Sequence, residues 1–438
     1  MSTPTPGAAL AALITPAGRR DPYPWYEAIR AHGDLVAVKP GLMVAVGYEA
    51  CSRALRDPRL RVQDGAAFDA VYPAWRAHSS LRGYTDSMLY RNPPDHGRLR
   101  RTVSDAFAPK RVSGLRPAIE MMTDQLLDRL ADAGAAGEPV DFIAEFASRL
   151  PIAVISALLG VPERDQAWFR AVAADVTVAL EGVTNVARLA VADAAMDDLT
   201  GYFETLLRHR EQHPVDGGPA GGPAGGDVVG ALLHAHHDGP GQVSRDELIG
   251  NMMLMLTAGF ETTSFLLGHA LLLALAHPGH AARLRADPGF AVGYVEEVLR
   301  FEPPVQATSR WSTTEVPLLD TTVPAGTKVV VVLAAGNRDP GRFPDPASFD
   351  PHRPDIQPLS FGGGAHFCLG APLSRMEAQV ALPRLLRRFP RLAVAGTPVR
   401  RDTWIGRGLD QFPVTVTGPA RPVPVDDPGG AVDRVPAH

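Results

Sequence analysis

The sequence has only two cysteines, Cys51 and Cys368, among 438 residues. That excludes a disulfide framework and a four-cysteine zinc site. Aromatic residues make up 7% of the chain, and no block of like charge dominates it. The net charge of −5 argues against nucleic acid as the main partner. Unbroken hydrophobic runs are also scarce. The N-terminal run Ala8–Thr15 is too short to span a bilayer, and no basic region precedes it. The longest apolar stretch, Met252–Leu275, is interrupted by Glu261, Thr262, Thr263, Ser264 and His269. It reads as a buried helix of a soluble protein, so the expectation is a cytoplasmic chain with no membrane partner.

What remains is ordinary for a globular protein, with 45% hydrophobic and 21% charged residues. Length alone suggests two or three domains. Residues 1–16 are expected to be flexible. Asp21–Gly33 reads as a proline-started helix that ends at glycine. Leu35–Val38 and Leu42–Val46, joined by Lys39-Pro40-Gly41, read as a β-hairpin. Cys51 reads as a plain core residue. Leu115–Arg210 is nearly all helical in pattern. Residues 214–226 are low-complexity Gly/Pro sequence and read as a flexible insertion; residues 419–438 read as a disordered tail. The fold class expected is mainly α with a smaller β region.

Ser244-Arg245-Asp246-Glu247 is a capping box. The helix it opens should reach about His277, roughly 30 residues or about 50 Å. In its middle lies AGFETT, Ala258–Thr263. A carboxylate and hydroxyls there need hydrogen-bond partners, and threonine hydroxyls can bend a helix by bonding back one turn. The pattern reads either as a helix with a few satisfied polar residues or as a functional break. Helical spacing puts Leu254, Thr257 and Ala258 on the face of Thr262. His269 lies near that face and reads as a core histidine.

Three further segments carry chemistry-bearing residues. In NPPDHGRLRR, Asp95 can cap a helix on which His96 and Arg100, four apart, share a face. That face is either solvated or able to donate to a carboxylate. Glu297 and Arg300 form E-x-x-R, which in general is a surface pair worth little. Phe361–Gly370, FGGGAHFCLG, presents Cys368 on a glycine-rich turn. Such a loop either hides an inert thiol or holds a thiolate that backbone N–H groups stabilise for a metal.

Phe361, Gly362, Gly364, His366, Cys368 and Gly370 match F-G-x-G-x-H-x-C-x-G, and the chain therefore resembles the cytochromes P450. H-x-x-x-R, A-G-x-E-T-T and E-x-x-R resemble other motifs of the family in its order, over about residues 20–417. The resemblance implies a single P450 domain over residues 17–418, a triangular prism with haem b (iron protoporphyrin IX) between the long helix and the helix after Cys368. It implies Cys368 as the iron ligand and His96, Arg100, Arg310 and His366 at the haem propionates. Ala258, Phe361, Gly362 and Gly370 border the haem. Glu261 and Thr262 become the acid and alcohol of oxygen activation. Glu297 and Arg300, with Arg353, become a structural cluster. Leu254, Thr257, Ala258, Ala307 and Ile405 become substrate-pocket candidates, and residues 61–92 the loop over the distal face.

The activity implied is insertion of one oxygen atom from O2, by hydroxylation or epoxidation, into a small apolar molecule of specialised metabolism. A P450 oxidase that closes rings or couples arenes is the alternative, and a non-catalytic haem-binding or recruitment module a third. No flavin or nicotinamide domain is apparent. Electrons from NAD(P)H would then come through a ferredoxin and its reductase to a monomer. Arg98, Arg101, Lys110 and Arg111 form either a patch for an acidic ferredoxin or a merely solvated charge run.

Overall fold

Ser244 Oγ accepts from the Glu247 N–H (3.1 Å) while Glu247 Oε2 accepts from the Ser244 N–H (3.0 Å). This reciprocal cap satisfies two of the donors that a helix start leaves open. The helix it begins runs without interruption from Arg245 to Ala276 and organises the rest of the chain. The structure, a computed structural model, describes residues 3–181, 186–213, 228–237 and 243–416. The Gly/Pro insertion 214–226 and the tail 419–438 lie outside these.

The long helix packs against Ser79–Asp86, Arg149–Leu158, Gln166–Thr177, Ala291–Phe301 and Ala371–Arg388. By length and composition it could cross a membrane, yet 67% of its most apolar window is buried in the protein. Two of its buried polar residues bond to neighbouring segments. Asn251 Oδ1 accepts from the Met88 N–H (3.1 Å), and His269 Nδ1 lies 3.1 Å from the Glu302 carbonyl.

Burial pushes His269 down to about 3, against the pull of the Glu302 carboxylate. It is therefore neutral in the folded protein, whereas in the unfolded chain it takes up a proton near its ordinary value of about 6.5. Between those values the unfolded state binds the extra proton. Stability should fall as pH drops through that window, by up to about 1.4 kcal/mol per pH unit. Urea midpoints measured from about pH 7 to about pH 5 should decline in the native sequence and decline less in His269→Gln; parallel curves would contradict this.

The β region packs against the N-terminal helices Pro6–Leu13, Tyr23–Arg30 and Tyr48–Arg56. Five strands run in the order Leu35–Lys39, Leu42–Ala45, Lys328–Val331, Thr308–Ser312, Leu60–Arg61. The first pair is the expected hairpin, with Gly41 at φ +75° in its turn. Leu42–Ala45 then pairs in parallel with Lys328–Val331, which aligns Val44 with Val330. Apolar side chains on the two faces of this sheet form two small cores. One contains Cys51, which is buried as expected. The other takes in Leu13, Tyr26, Val44 and Val330.

That second core corrects the reading of residues 1–16. Pro6–Leu13 is a helix, with Pro6 at its start, Thr5 Oγ1 accepting from the Ala8 N–H (3.3 Å), and Ala9 and Leu13 buried. Burial of two apolar side chains and a satisfied cap order this part of a segment expected to be flexible.

Near the C-terminus, Val399–Arg400 pairs with Leu409–Gln411. The intervening turn is stitched to residues 304–306: the Gln306 N–H donates to the Ile405 carbonyl (2.8 Å) and the Arg407 N–H to the Pro304 carbonyl (2.8 Å). Pro413–Thr415 joins a separate sheet with Val140–Asp141 and Ala393–Val394.

Candidate active site

The cysteine loop is shaped by two residues in the left-handed region, Gly362 at φ +71° and Gly364 at φ +66°. A Cβ on Gly364 would also lie 2.5 Å from the Leu55 carbonyl oxygen, a backbone atom that cannot step aside. Glycine is therefore required there twice over. The loop closes when the Cys368 N–H donates to the Phe361 carbonyl (2.9 Å). Behind it, Arg375 covers the Phe361 ring at 4.4 Å and pairs with Glu296 (2.5 Å).

Cys368 itself is exposed and stands two residues before the Gly370 cap of helix Ala371–Arg388. Desolvation by the surrounding loop pushes the thiol up. The N–H groups of Gly370 and Ala371 and the charges of Arg100 and Arg375 work in the opposite direction. Those donors favour sulfur as an anion.

The basic residues converge beside this loop. His96 is buried, and its ring lies 4.0 Å from that of His366. Arg100 donates to the Phe367 carbonyl (2.8 Å). Arg310 is 5% exposed and finds only Thr308 Oγ1 (3.4 Å) and the Ser309 carbonyl (2.9 Å). Burial pushes His366 down to about 3, and His96, Arg310 and Arg100 push the same way. Burial likewise pushes Arg310 down to about 10. Among the described residues no carboxylate pairs with any of the four. Arg310 is thus a buried cation without an anion, which is unfavourable unless something else supplies the charge. The cluster therefore fits a group bearing carboxylates beside Cys368, as haem does.

Arg98 departs from expectation. Its guanidinium pairs with Glu247 (2.6 Å) and Asp95 (3.2 Å), so it belongs to the start of the long helix rather than to an exposed basic patch. Arg101 and Lys110 are exposed. Asp95 also differs: it is the first helical residue after Pro94, and the helix has no side-chain cap.

On the long helix, Ala258 is exposed and Gly259 half-buried, while Leu254 and Thr257 are buried. Both threonines bond back, Thr257 Oγ1 to the Met253 carbonyl (3.0 Å) and Thr262 Oγ1 to the Ala258 carbonyl (2.8 Å). Thr263 Oγ1 lies 3.1 Å from Ser374 Oγ, tying this turn to the helix that follows Cys368. Glu261 turns towards a cleft lined by Thr177, Phe265, Arg401 and Thr403. It pairs closely with Arg401 and accepts from Thr177 Oγ1 (3.3 Å). No local pattern points to Arg401, which lies 140 positions away.

Glu297 and Arg300 are fully buried, unlike a typical E-x-x-R surface pair, and meet in two contacts of 2.7 Å. Arg353 Nε reaches Glu297 at 3.2 Å. Ile405 sits at the stitched turn. Ala307 departs from the pocket reading: it is 3% exposed and packs in the sheet core with Leu13, Tyr26 and Val330. It immediately precedes the strand Thr308–Ser312, so its surroundings depend on how that strand pairs, which local sequence does not encode.

Comparison with known proteins agrees with this geometry. The sequence model of the family described as Cytochrome P450 matches residues 189–294 and 290–404. Cytochrome P450 107B1 of Saccharopolyspora erythraea is 40% identical over 375 residues, covering 84% of this chain and 87% of that protein. The 6-deoxyerythronolide B hydroxylase of the same organism is 35% identical over 383 residues, covering 86% and 90%. Among solved structures, P450BioI in complex with hexadec-9Z-enoic acid ligated acyl carrier protein is similar at a TM-score of 0.82 and 30% identity, covering 91% of this chain and 98% of that one. With Cys368 on its glycine loop, the chain belongs to the cytochrome P450 family of haem-thiolate monooxygenases.

Proposed function

We propose that this P450 uses haem b to insert one oxygen atom from O2 into a small apolar molecule, by hydroxylation or epoxidation, in specialised metabolism. The observation that carries the reading is the Glu261–Thr262 pair, beside the exposed Ala258 in the middle of a buried helix. The likeness to 6-deoxyerythronolide B hydroxylase supports the metabolic setting. We assign the haem carboxylates to His96, Arg100, Arg310 and His366, and the iron to Cys368. Phe361, Gly362 and Gly370 shape the loop around that sulfur. Electrons come from NAD(P)H through a ferredoxin and its reductase, for which Arg101 and Lys110 offer exposed cations on a cytoplasmic monomer.

Bound haem supplies the oxidative chemistry, with the thiolate pushing electron density that favours O–O cleavage. The chain's own residues deliver protons. Glu261 takes a proton from water in the Thr177–Arg401 cleft and passes it to Thr262, whose hydroxyl swings from the Ala258 carbonyl to donate it. General acid–base groups of this kind contribute about 10²–10⁴-fold. Thr262→Ala should keep its haem and thiolate spectrum while product per reductant consumed falls by about 10²-fold. Unchanged coupling would refute the relay.

A further inference from the structure

Helix Ser79–Asp86 is eight residues long and has no side-chain cap of its own. An isolated helix of that length is marginal. It borrows its start from the helix Val186–Gln212. Asp193 Oδ1 accepts from both the N–H and the Oγ of Ser80 (2.9 and 2.6 Å), and the Asp193 carbonyl accepts from Ser79 Oγ (3.1 Å). His78 Nδ1 lies 2.7 Å from Asp193 Oδ2, and its Nε2 lies 2.9 Å from the Tyr72 hydroxyl. One neutral tautomer satisfies both contacts, donating to Asp193 and accepting from Tyr72. Desolvation opposes the charge on Asp193, but the bonds from Ser80 and His78 win and hold its carboxyl below the usual range.

The other end of the helix is fixed differently. There the Met88 N–H donates to Asn251 of the long helix (3.1 Å), whose amide donates to the Glu247 carbonyl (2.6 Å). Between these points the helix is pressed thin. A Cβ on Gly83 would lie 2.7 Å from Met196 Sδ, and one on Gly250 would lie 2.8 Å from the Gly83 carbonyl oxygen. Its inner face buries Tyr84, whose hydroxyl approaches Thr257 without making a hydrogen bond. The short helix is thus a single layer lying over the long helix up to one turn before Glu261.

We infer that Asp193 is a positioning residue: with His78 and Ser80 it clasps helix Ser79–Asp86 to helix Val186–Gln212, and so holds in place over the long helix one wall of the pocket at Thr257. Loss of the clasp frees the start of the helix while Asn251 keeps its end, so the wall hinges about residues 86–88. The inference rests on the proposed haem pocket beside Leu254–Ala258.

The test uses the full-length holoenzyme with Asp193→Ala, and Ser80→Ala as the milder variant. One measurement is amide hydrogen exchange, the other stopped-flow binding of imidazole to the haem, followed by its Soret shift. A charge-assisted hydrogen bond is worth about 1.5–3 kcal/mol, so exchange of the amides in residues 80–84 should quicken by about ten-fold or more in Asp193→Ala. Imidazole should associate and dissociate faster by a similar factor, with both effects smaller in Ser80→Ala. Faster exchange with unchanged imidazole rates would overturn the inference, because the helix would then not wall the ligand's path. Unchanged exchange in both variants would also overturn it. A native protein that takes up haem but shows no Soret shift with imidazole would instead refute the haem-pocket reading on which it rests.

Discussion

Cys368→Ser is expected to abolish the red-shifted Soret band of the reduced carbon monoxide complex and to bring product formation below detection. The substitution is nearly isosteric, so the loop should survive. Its closure depends on the Cys368 N–H bond to Phe361 and on the turns at Gly362 and Gly364, none of which uses the sulfur. What disappears is the thiolate. A serine hydroxyl has no anion accessible near neutral pH, even with the N–H groups of Gly370 and Ala371 beside it, and oxygen is a harder, less polarisable donor. The cluster of His96, Arg100, Arg310 and His366, to which we assign the haem carboxylates, is untouched, so haem should still be retained, with an altered spectrum. The matching control is Cys51→Ala. Cys51 is fully buried, its thiol pushed up by burial, and it donates to the Ala45 and Val332 carbonyls (3.3 and 3.6 Å) within an apolar core. That variant should keep the band. Persistence of the band in Cys368→Ser would mean that the iron ligand lies elsewhere.

Arg300→Ala should be the most damaging change away from the cofactor. Arg300 is fully buried and donates to both Glu297 oxygens, to the Asn337 carbonyl (3.0 Å), and to the Pro346 and Ser348 carbonyls (both 2.9 Å). Truncation leaves the Glu297 carboxylate with Arg353 and the Asp350 N–H (2.8 Å) alone, and the Asn337 and Pro346 carbonyls lose the Arg300 donor, while the Ser348 carbonyl keeps Arg353 (3.0 Å). Removing one member of a buried ion pair costs about 3–5 kcal/mol, against about 5–15 kcal/mol for the total stability of a typical domain. Arg300→Lys keeps the charge but cannot span five acceptors, and should fall between. Urea midpoints and haem retention would measure this. A loss under about 1 kcal/mol would put this buried cluster in the class of surface pairs.

The parts of the molecule that sequence reveals are those set by neighbours along the chain. The capping box at Ser244, the hairpin around Gly41 and the cysteine turn all depend on residues within about ten positions. The helix Pro6–Leu13 belonged to this class and was overlooked, although Thr5-Pro6 is itself a start signal. Contacts between distant segments are a different matter. The pairing of Glu261 with Arg401, and of Asp193 with His78 and Ser80, depends on how helices cross, which no local pattern encodes. The surroundings of Ala307 depended on strand pairing, and the capture of Arg98 on where the long helix begins. Composition marked all four as polar or small without naming a partner.

The helix Asp95–Ser104 carries an obligation on two opposite sides. His96 and Arg100 turn to the cysteine loop, and Arg98, between them in sequence, turns to Glu247 at the start of the long helix. Two residues span about 200° of helical rotation, so both attachments hold only in one register. An insertion or deletion of a single residue between His96 and Arg100 would turn one of these side chains by about 100° relative to the others. This stretch should tolerate substitution at Gly97 or Arg101 far better than any change in length.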